Sequence, residues 1–112
     1  MLEFSIETEQ KNAIPVLRIK GEIDIYTCPR LHDALKVALD GGADLIVLDL
    51  ESVAYIDSTG LGTIAQTAHT LSKSGGSVTI VCSNPQVKRI FDISGLSKKN
   101  VRLVKEEAMA FG

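Results

Sequence analysis

One ten-residue stretch, residues 53–62, changes abruptly from a strand pattern to a helix pattern. Its first four residues are mostly apolar, the next three are Asp57, Ser58 and Thr59, and the last three include two glycines. From Leu61 onward, apolar residues recur at spacings of three and four, which predicts a helix with one buried face. The recurring residues are Leu61, Ile64, Ala65, Ala68 and Leu71. A strand that passes directly into an amphipathic helix is typical of α/β proteins.

The rest of the chain continues this alternation. Two strands, at residues 2–8 and 14–20, are predicted to form an opening hairpin with a polar turn at residues 9–12. The later predicted elements are a helix capped by Thr27 and ended by Gly41-Gly42, a strand at 44–50, the helix after Ser58, a strand at 78–82, a helix opened by Asn84 and stopped by Gly95, a strand at 101–104 and a terminal helix at 105–110. This order predicts right-handed crossovers and a mostly parallel sheet.

Size and charge narrow the possible functions. The 112 residues are enough for one domain, residues 1–112, and the net charge of -2 gives no electrostatic reason to bind nucleic acid or an acidic membrane. No apolar run approaches the roughly 20 residues of a spanning helix. The first residues lack the basic and apolar regions of a signal peptide, which favours the cytoplasm. Cys28 and Cys82 are therefore expected to be reduced thiols.

Ser58 is the candidate functional residue of the junction. Asp57, Ser58 and Thr59 are all good helix caps, because a short side-chain oxygen can accept from free amides of the first turn. A helix start also favours an anion, so the serine hydroxyl is either a cap or a place to attach a phosphate. Gly60 and Gly62 each cost a helix about 0.5–1 kcal/mol relative to Ala, which indicates close approach of a ligand, a partner or the protein's own core.

Catalytic machinery is not visible near Ser58. The glycine spacing of a dinucleotide fingerprint is present, but the acidic residue expected about 20 positions later is missing. A nucleophile elbow needs glycine where Ile56 stands. His32 and His69 fall within predicted helices far from Ser58 in sequence, and no cluster of metal ligands occurs. The sequence therefore predicts no catalytic residue, metal or cofactor, and instead a docking surface, with Asp24 and Asp57 nearby, that a phosphate can switch.

Three segments give the chain a resemblance to the STAS domain family, and more narrowly to bacterial anti-sigma factor antagonists. The first segment is Gly21-Glu22-Ile23-Asp24 with Thr27 and Leu31. The second runs from Leu48-Asp49-Leu50 to Ile56-Asp57-Ser58-Thr59-Gly60-Leu61-Gly62. The third is Asn84-Pro85-Gln86-Val87-Lys88-Arg89-Ile90-Phe91-Asp92 with Ser94-Gly95-Leu96. In order and spacing they span nearly the whole chain.

This resemblance implies a small α/β fold, with a mixed β-sheet and helices packed mainly on one face. It implies that the unphosphorylated chain binds an anti-sigma factor, which is also a serine kinase of the GHKL type, and thereby frees a sigma factor. Ser58 is then the phospho-acceptor, and a separate serine phosphatase restores it. The implied partner-binding residues are Asp24, Thr27, Asp57, Thr59, Gly60, Leu61 and Gly62. Thr59 stands where serine is common in the family.

Two other classes of function remain open from the sequence. One is a STAS interaction subunit of a membrane transport or sensory assembly, with no sigma partner. The other is a nucleotide-binding regulator. Copurifying proteins distinguish the first from a sigma pathway, and nucleotide titration tests the second.

Overall fold

Within the described part of the chain, five strands form one sheet in the order in which they occur, and three helices connect the last four of them. The computed structural model describes residues 3–111. The strands are β1 (Ser5–Lys11), β2 (Ile14–Ile23), β3 (Leu45–Ile56), β4 (Ser77–Val81) and β5 (Val101–Val104), and the helices are α1 (Cys28–Asp40), α2 (Ser58–Ser72) and α3 (Pro85–Ser94). Single 3-10 turns lie at Leu96–Lys98 and Glu107–Ala110. Strand β1 is antiparallel to β2, and the other neighbours are parallel.

The main core lies between the sheet and the three helices. Alternate residues of β2 and β3, such as Leu17 and Leu48, point into it and are fully buried. Each helix contributes its predicted apolar stripe, including Leu35 of α1, Ile64 of α2 and Phe91 of α3. Because a strand alternates its faces, the residues between these strand positions must lie on the opposite face of the sheet. The predicted mixed sheet with helices mainly on one face is thus confirmed.

The opposite face of the sheet carries a second, smaller apolar cluster. Val16, Val47, Val81 and Val104 come from four neighbouring strands, and Ala110 of the C-terminal 3-10 turn packs against them. Glu107 of the same turn binds the Arg18 guanidinium through two hydrogen bonds of 2.7 and 2.9 Å. Lys11 Nζ also lies 3.1 Å from Glu107 Oε1. The C-terminal turn is therefore held on this face by apolar contact and by charge together.

Several boundaries differ from the sequence predictions. Strand β1 runs to Lys11, so the hairpin turn is Asn12-Ala13, with φ of 54° and 64°. Positive φ at both central residues is the geometry of a tight two-residue hairpin. Strand β3 is continuous from Leu45 to Ile56, so it joins the predicted strand at 44–50 to the strand-like run that begins at residue 53. The predicted terminal helix is only the 3-10 turn Glu107–Ala110, and Leu2 of the first predicted strand lies outside the described residues.

Asp49 gives the fold a testable pH dependence. It pairs in register with Arg18, and desolvation together with the neighbouring Glu107 carboxylate raises the pKa of Asp49 to about 6. The Arg18 guanidinium, in contrast, holds the pKa of Glu107 well below its usual range. When folding raises the pKa of an acidic group, that group stabilises the folded protein below its unfolded pKa, which is about 4. This stabilisation is lost as the pH rises through the folded pKa.

We expect Asp49→Asn to become more stable than the wild type as the pH rises from 4 to 7, by about 1–2 kcal/mol after discounting for partial solvent screening. The asparagine keeps an oxygen that can accept from the Glu51 amide, as Asp49 Oδ1 does at 2.9 Å. Glu107→Gln should have the opposite effect. This variant should be less stable than the wild type at neutral pH, because Arg18 and Lys11 lose their counter-charge. Urea unfolding at several pH values measures both, and a pH-independent difference for Asp49→Asn would contradict the assignment.

Candidate functional site

The candidate site lies where β2 and β3 end side by side. Ile23 is the register partner of Ile56, and the amide of Asp57 donates to the Ile23 carbonyl oxygen at 3.0 Å. The two segments that follow these strands are thereby held together at one edge of the sheet. We call this edge the acceptor surface and define it as residues 24–27, 57–59 and 62.

Asp57, and not Ser58, caps helix α2. Its backbone is extended, and its Oδ1 accepts from the Gly60 amide at 3.1 Å. Ser58 is consequently the first residue of the helix, and it is exposed, as is Thr59. The sequence left open whether the Ser58 hydroxyl serves as a cap or as a phosphate site. The capping function belongs to Asp57, and the Ser58 hydroxyl is not needed for it.

Asp24 and Thr27 hold the loop between β2 and α1 in one shape. Asp24 Oδ1 accepts from the amides of Tyr26 at 2.9 Å and Thr27 at 3.0 Å. Thr27 Oγ1 accepts from the Asp24 amide at 3.0 Å and donates to the Glu22 carbonyl oxygen at 2.8 Å. Thr27 stands at the N-cap position of α1, as predicted, but its side chain makes no capping hydrogen bond. Its hydroxyl turns back into the loop.

The buried side chain of Cys28 connects the β2–α1 loop to helix α2. Its buried sulfur lies 3.0 Å from Thr63 Oγ1 and 3.6 Å from the Thr59 carbonyl oxygen. Thr63 Oγ1 in turn donates to that same carbonyl oxygen at 3.1 Å. Cys28 and Cys82 are both free thiols, as predicted. Burial raises the pKa of the Cys82 thiol, which disfavours its reactive thiolate form.

The two glycines of the motif have different surroundings. Gly60 is buried, and a Cβ there would lie 2.6 Å from Ile23 Cγ2 and 2.8 Å from Ile56 Cγ1. The protein's own core therefore explains Gly60 without any partner. Gly62 is exposed, and a Cβ there would meet nothing within 4 Å. Leu61, between them, is partly buried against the core. The prediction that a glycine serves a partner now depends on Gly62 alone.

Two exposed apolar residues were missed by the sequence reasoning. Ile25 and Tyr26 form the tip of the β2–α1 loop and are 58% and 85% exposed. The available signal was an Ile-Tyr pair placed immediately after a buried strand, between two polar residues that favour turns. Tyr55, at the end of β3, is also exposed. The acceptor surface therefore combines a serine hydroxyl, carboxylates and apolar side chains.

The two histidines, His32 and His69, lie on helices α1 and α2. His69 is in the last turn of α2, about 16 Å along the helix at 1.5 Å per residue, and His32 is exposed on α1. Among residues 3–111, no group of three His, Cys, Asp or Glu side chains is arranged to hold a metal ion. No helix in the same part of the chain is long and apolar enough to cross a membrane.

Comparison with known proteins identifies the family. The STAS domain family model matches residues 5–110, so the chain belongs to the STAS domain family. An anti-sigma-B factor antagonist from Bacillus subtilis is 36% identical over 95 residues, which cover 85% of this chain and 86% of that protein. An anti-sigma-B factor antagonist from Staphylococcus aureus is 33% identical over 95 residues, covering 85% and 88% of the two chains. The crystal structure of an anti-sigma factor antagonist from Mycobacterium paratuberculosis superposes with a TM-score of 0.88 at 28% identity, covering 97% of this chain and 92% of that one.

The two glycines provide a stability test of this geometry. Gly60→Ala forces a Cβ against Ile23 and Ile56, and such overpacking costs about 1–3 kcal/mol. Gly62→Ala meets open space at a helical position, so it should stabilise the protein by about 0.4–1 kcal/mol. Thermal unfolding of the two variants beside the wild type measures both effects. Equal changes in the two variants would contradict the assigned packing.

Proposed function

We propose that this chain is an anti-sigma factor antagonist. In its unphosphorylated form it binds an anti-sigma factor that is also a serine kinase, and this binding frees a sigma factor. Phosphorylation of Ser58 ends the binding, and a serine phosphatase reverses it. The observation that carries the proposal is the exposed Ser58 at the first position of α2, with its neighbour Asp57 supplying the cap. The names of the relatives support the same role.

The phosphoryl transfer needs little from this chain beyond an accessible hydroxyl. The kinase supplies ATP, Mg²⁺ and a base that takes the hydroxyl proton. The Ser58 oxygen forms a bond to the γ-phosphorus as the bond to the bridging oxygen breaks, and ADP leaves. Asp57 is occupied with the Gly60 amide, so the chain's own nearby carboxylate is not the base we assign. The chain is a substrate and a binding partner and needs no cofactor of its own.

The switch acts through charge at the acceptor surface. A phosphate carries about -1.5 to -2 charges at neutral pH. At Ser58 it lies next to Asp57, on the surface that also carries Asp24, and a docked partner would have to desolvate these negative groups together. The amides at the start of α2 stabilise the phosphate in the free protein. Phosphorylation therefore disfavours the complex more than it disfavours the fold, and no refolding is required.

The other predicted partner-binding residues divide by how they act. Thr59 and Gly62 are exposed and can touch the partner directly, whereas Leu61 is partly buried. Asp24 and Thr27 shape the loop beside Ser58, and Gly60 acts only by letting α2 approach the sheet. We place the complex in the cytoplasm, where a sigma factor works, and propose no contact with nucleic acid or membrane.

Ser58 is expected to be the phosphorylated residue. The chain is incubated with the anti-sigma factor kinase of its source organism and ATP, and the site is mapped by mass spectrometry. Ser58→Ala should abolish incorporation, while Thr59→Ala, which removes the adjacent hydroxyl, should leave it. Phosphate found mainly on Thr59, Ser72 or Ser74 would contradict the assignment of Ser58 as the phosphorylated residue.

Ser58→Ala should bind the kinase like the unphosphorylated wild type, and its free energy of unfolding should change by less than about 0.5 kcal/mol because Ser58 is not the cap. Ser58→Asp carries about one charge and should bind less well, though better than the phosphorylated chain. Calorimetric titration measures the affinities. Copurification of a membrane transport or sensory assembly in place of an anti-sigma factor would favour a different STAS function.

A further inference from the structure

We propose that Ile25 and Tyr26 form an apolar anchor that inserts into a pocket of the anti-sigma factor beside its kinase site. This inference rests on the function proposed above. It adds which residues supply the binding affinity and determine the choice of partner. The two residues are 58% and 85% exposed at the tip of the β2–α1 loop. Tyrosine is among the residues that most often dominate binding energy, because its ring is large, rigid and amphipathic.

The loop presents these two side chains in a fixed position. The Tyr26 amide is held by Asp24 Oδ1, and the Cys28 amide donates to the Asp24 carbonyl oxygen at 2.8 Å. Thr27 Oγ1 closes the loop through Glu22 and Asp24. A side chain whose backbone is already ordered loses less conformational entropy when it binds. The polar residues of the loop thus stabilise its shape, and the apolar residues are left for the partner.

The anchor and the phospho-acceptor belong to one rigid unit. The Asp57 amide bonds to Ile23, two residues before Ile25, and the Cys28 sulfur contacts Thr59 and Thr63 from the other side. A partner that seats the anchor therefore lies beside the strand ends from which Ser58 also emerges. This explains how a phosphate on Ser58 can oppose the docking of apolar side chains that it does not itself change. The partner pocket should be apolar inside, with a polar group at its rim for the tyrosine hydroxyl.

Other exposed apolar residues provide matched controls. Val37 is 73% exposed and lies about 13 Å along α1 from Cys28, in a groove lined also by Thr8 and Gly42. Ile93 is 75% exposed on α3. Neither belongs to the acceptor surface. If apolar exposure alone promoted binding, truncating these residues would weaken it as much as truncating the anchor.

The test is calorimetric titration of the variants with the purified anti-sigma factor kinase, alongside thermal unfolding. Tyr26→Ala and Ile25→Ala should each weaken binding at least tenfold with unchanged melting temperature, while Tyr26→Phe should lose less than threefold. Val37→Ala and Ile93→Ala should bind like the wild type. Asp24→Ala, which removes the acceptor of the Tyr26 amide, should lose more affinity than Asp24→Asn.

The outcomes separate this inference from the proposed function. If the wild type binds the kinase and Ser58→Asp binds less well, but both anchor variants stay within twofold of the wild type, the anchor is overturned and the switch stands. If the control variants lose as much affinity as the anchor variants, the anchor is overturned as well. If the wild type neither binds the kinase nor accepts phosphate on Ser58, the proposed function fails and the anchor fails with it.

Discussion

The parallel pairing of β2 and β3 is the interaction on which the rest of the site depends. It brings Ile23 opposite Ile56 and ends with the hydrogen bond from the Asp57 amide to Ile23. Every functional residue proposed for the chain lies within a few positions of one of these two strand ends. The close approach of α2 to this pair also requires Gly60, because a side chain there would collide with both isoleucines. Packing in the core and the position of Ser58 are therefore consequences of the same contact.

The two faces of the sheet are covered in different ways. The helix-covered face contains most of the buried apolar residues and places the start of α2 at the sheet edge. The other face has a smaller apolar strip, covered by the C-terminal turn and an ion network in which Arg18 binds both Glu9 and Glu107. The acidic charge of this network stabilises the turn only because Arg18 and Lys11 neutralise it. The acceptor surface is built from the strand ends, so its geometry does not use that turn.

Local sequence patterns predicted most elements, since each helix carries a clear apolar stripe and each buried strand a dense apolar run. They failed where a contact distant in sequence decides the outcome. Strand β3 runs unbroken between residues 50 and 53 because β2 pairs with it along that length, and Glu107 is placed by Arg18, 89 positions earlier. Thr27 stands at the predicted N-cap position, but its hydroxyl oxygen accepts from the Asp24 amide in the preceding loop and not from an amide of the first helical turn. The exposure of Ile25 and Tyr26 was missed because two apolar residues by themselves predict burial, and only their place between Asp24 and Thr27 indicated a loop.

The central claim is that a phosphate on Ser58 changes the charge of a rigid surface and leaves the fold unchanged. Comparison of backbone amide NMR spectra before and after phosphorylation tests it most directly. The account predicts shifts confined to residues 22–28 and 55–63, with the amides of α3 and β5 unmoved and the affinity for the anti-sigma factor lost in the same sample. Shifts spread through α3 and β5, or unchanged affinity in the phosphorylated chain, would contradict it.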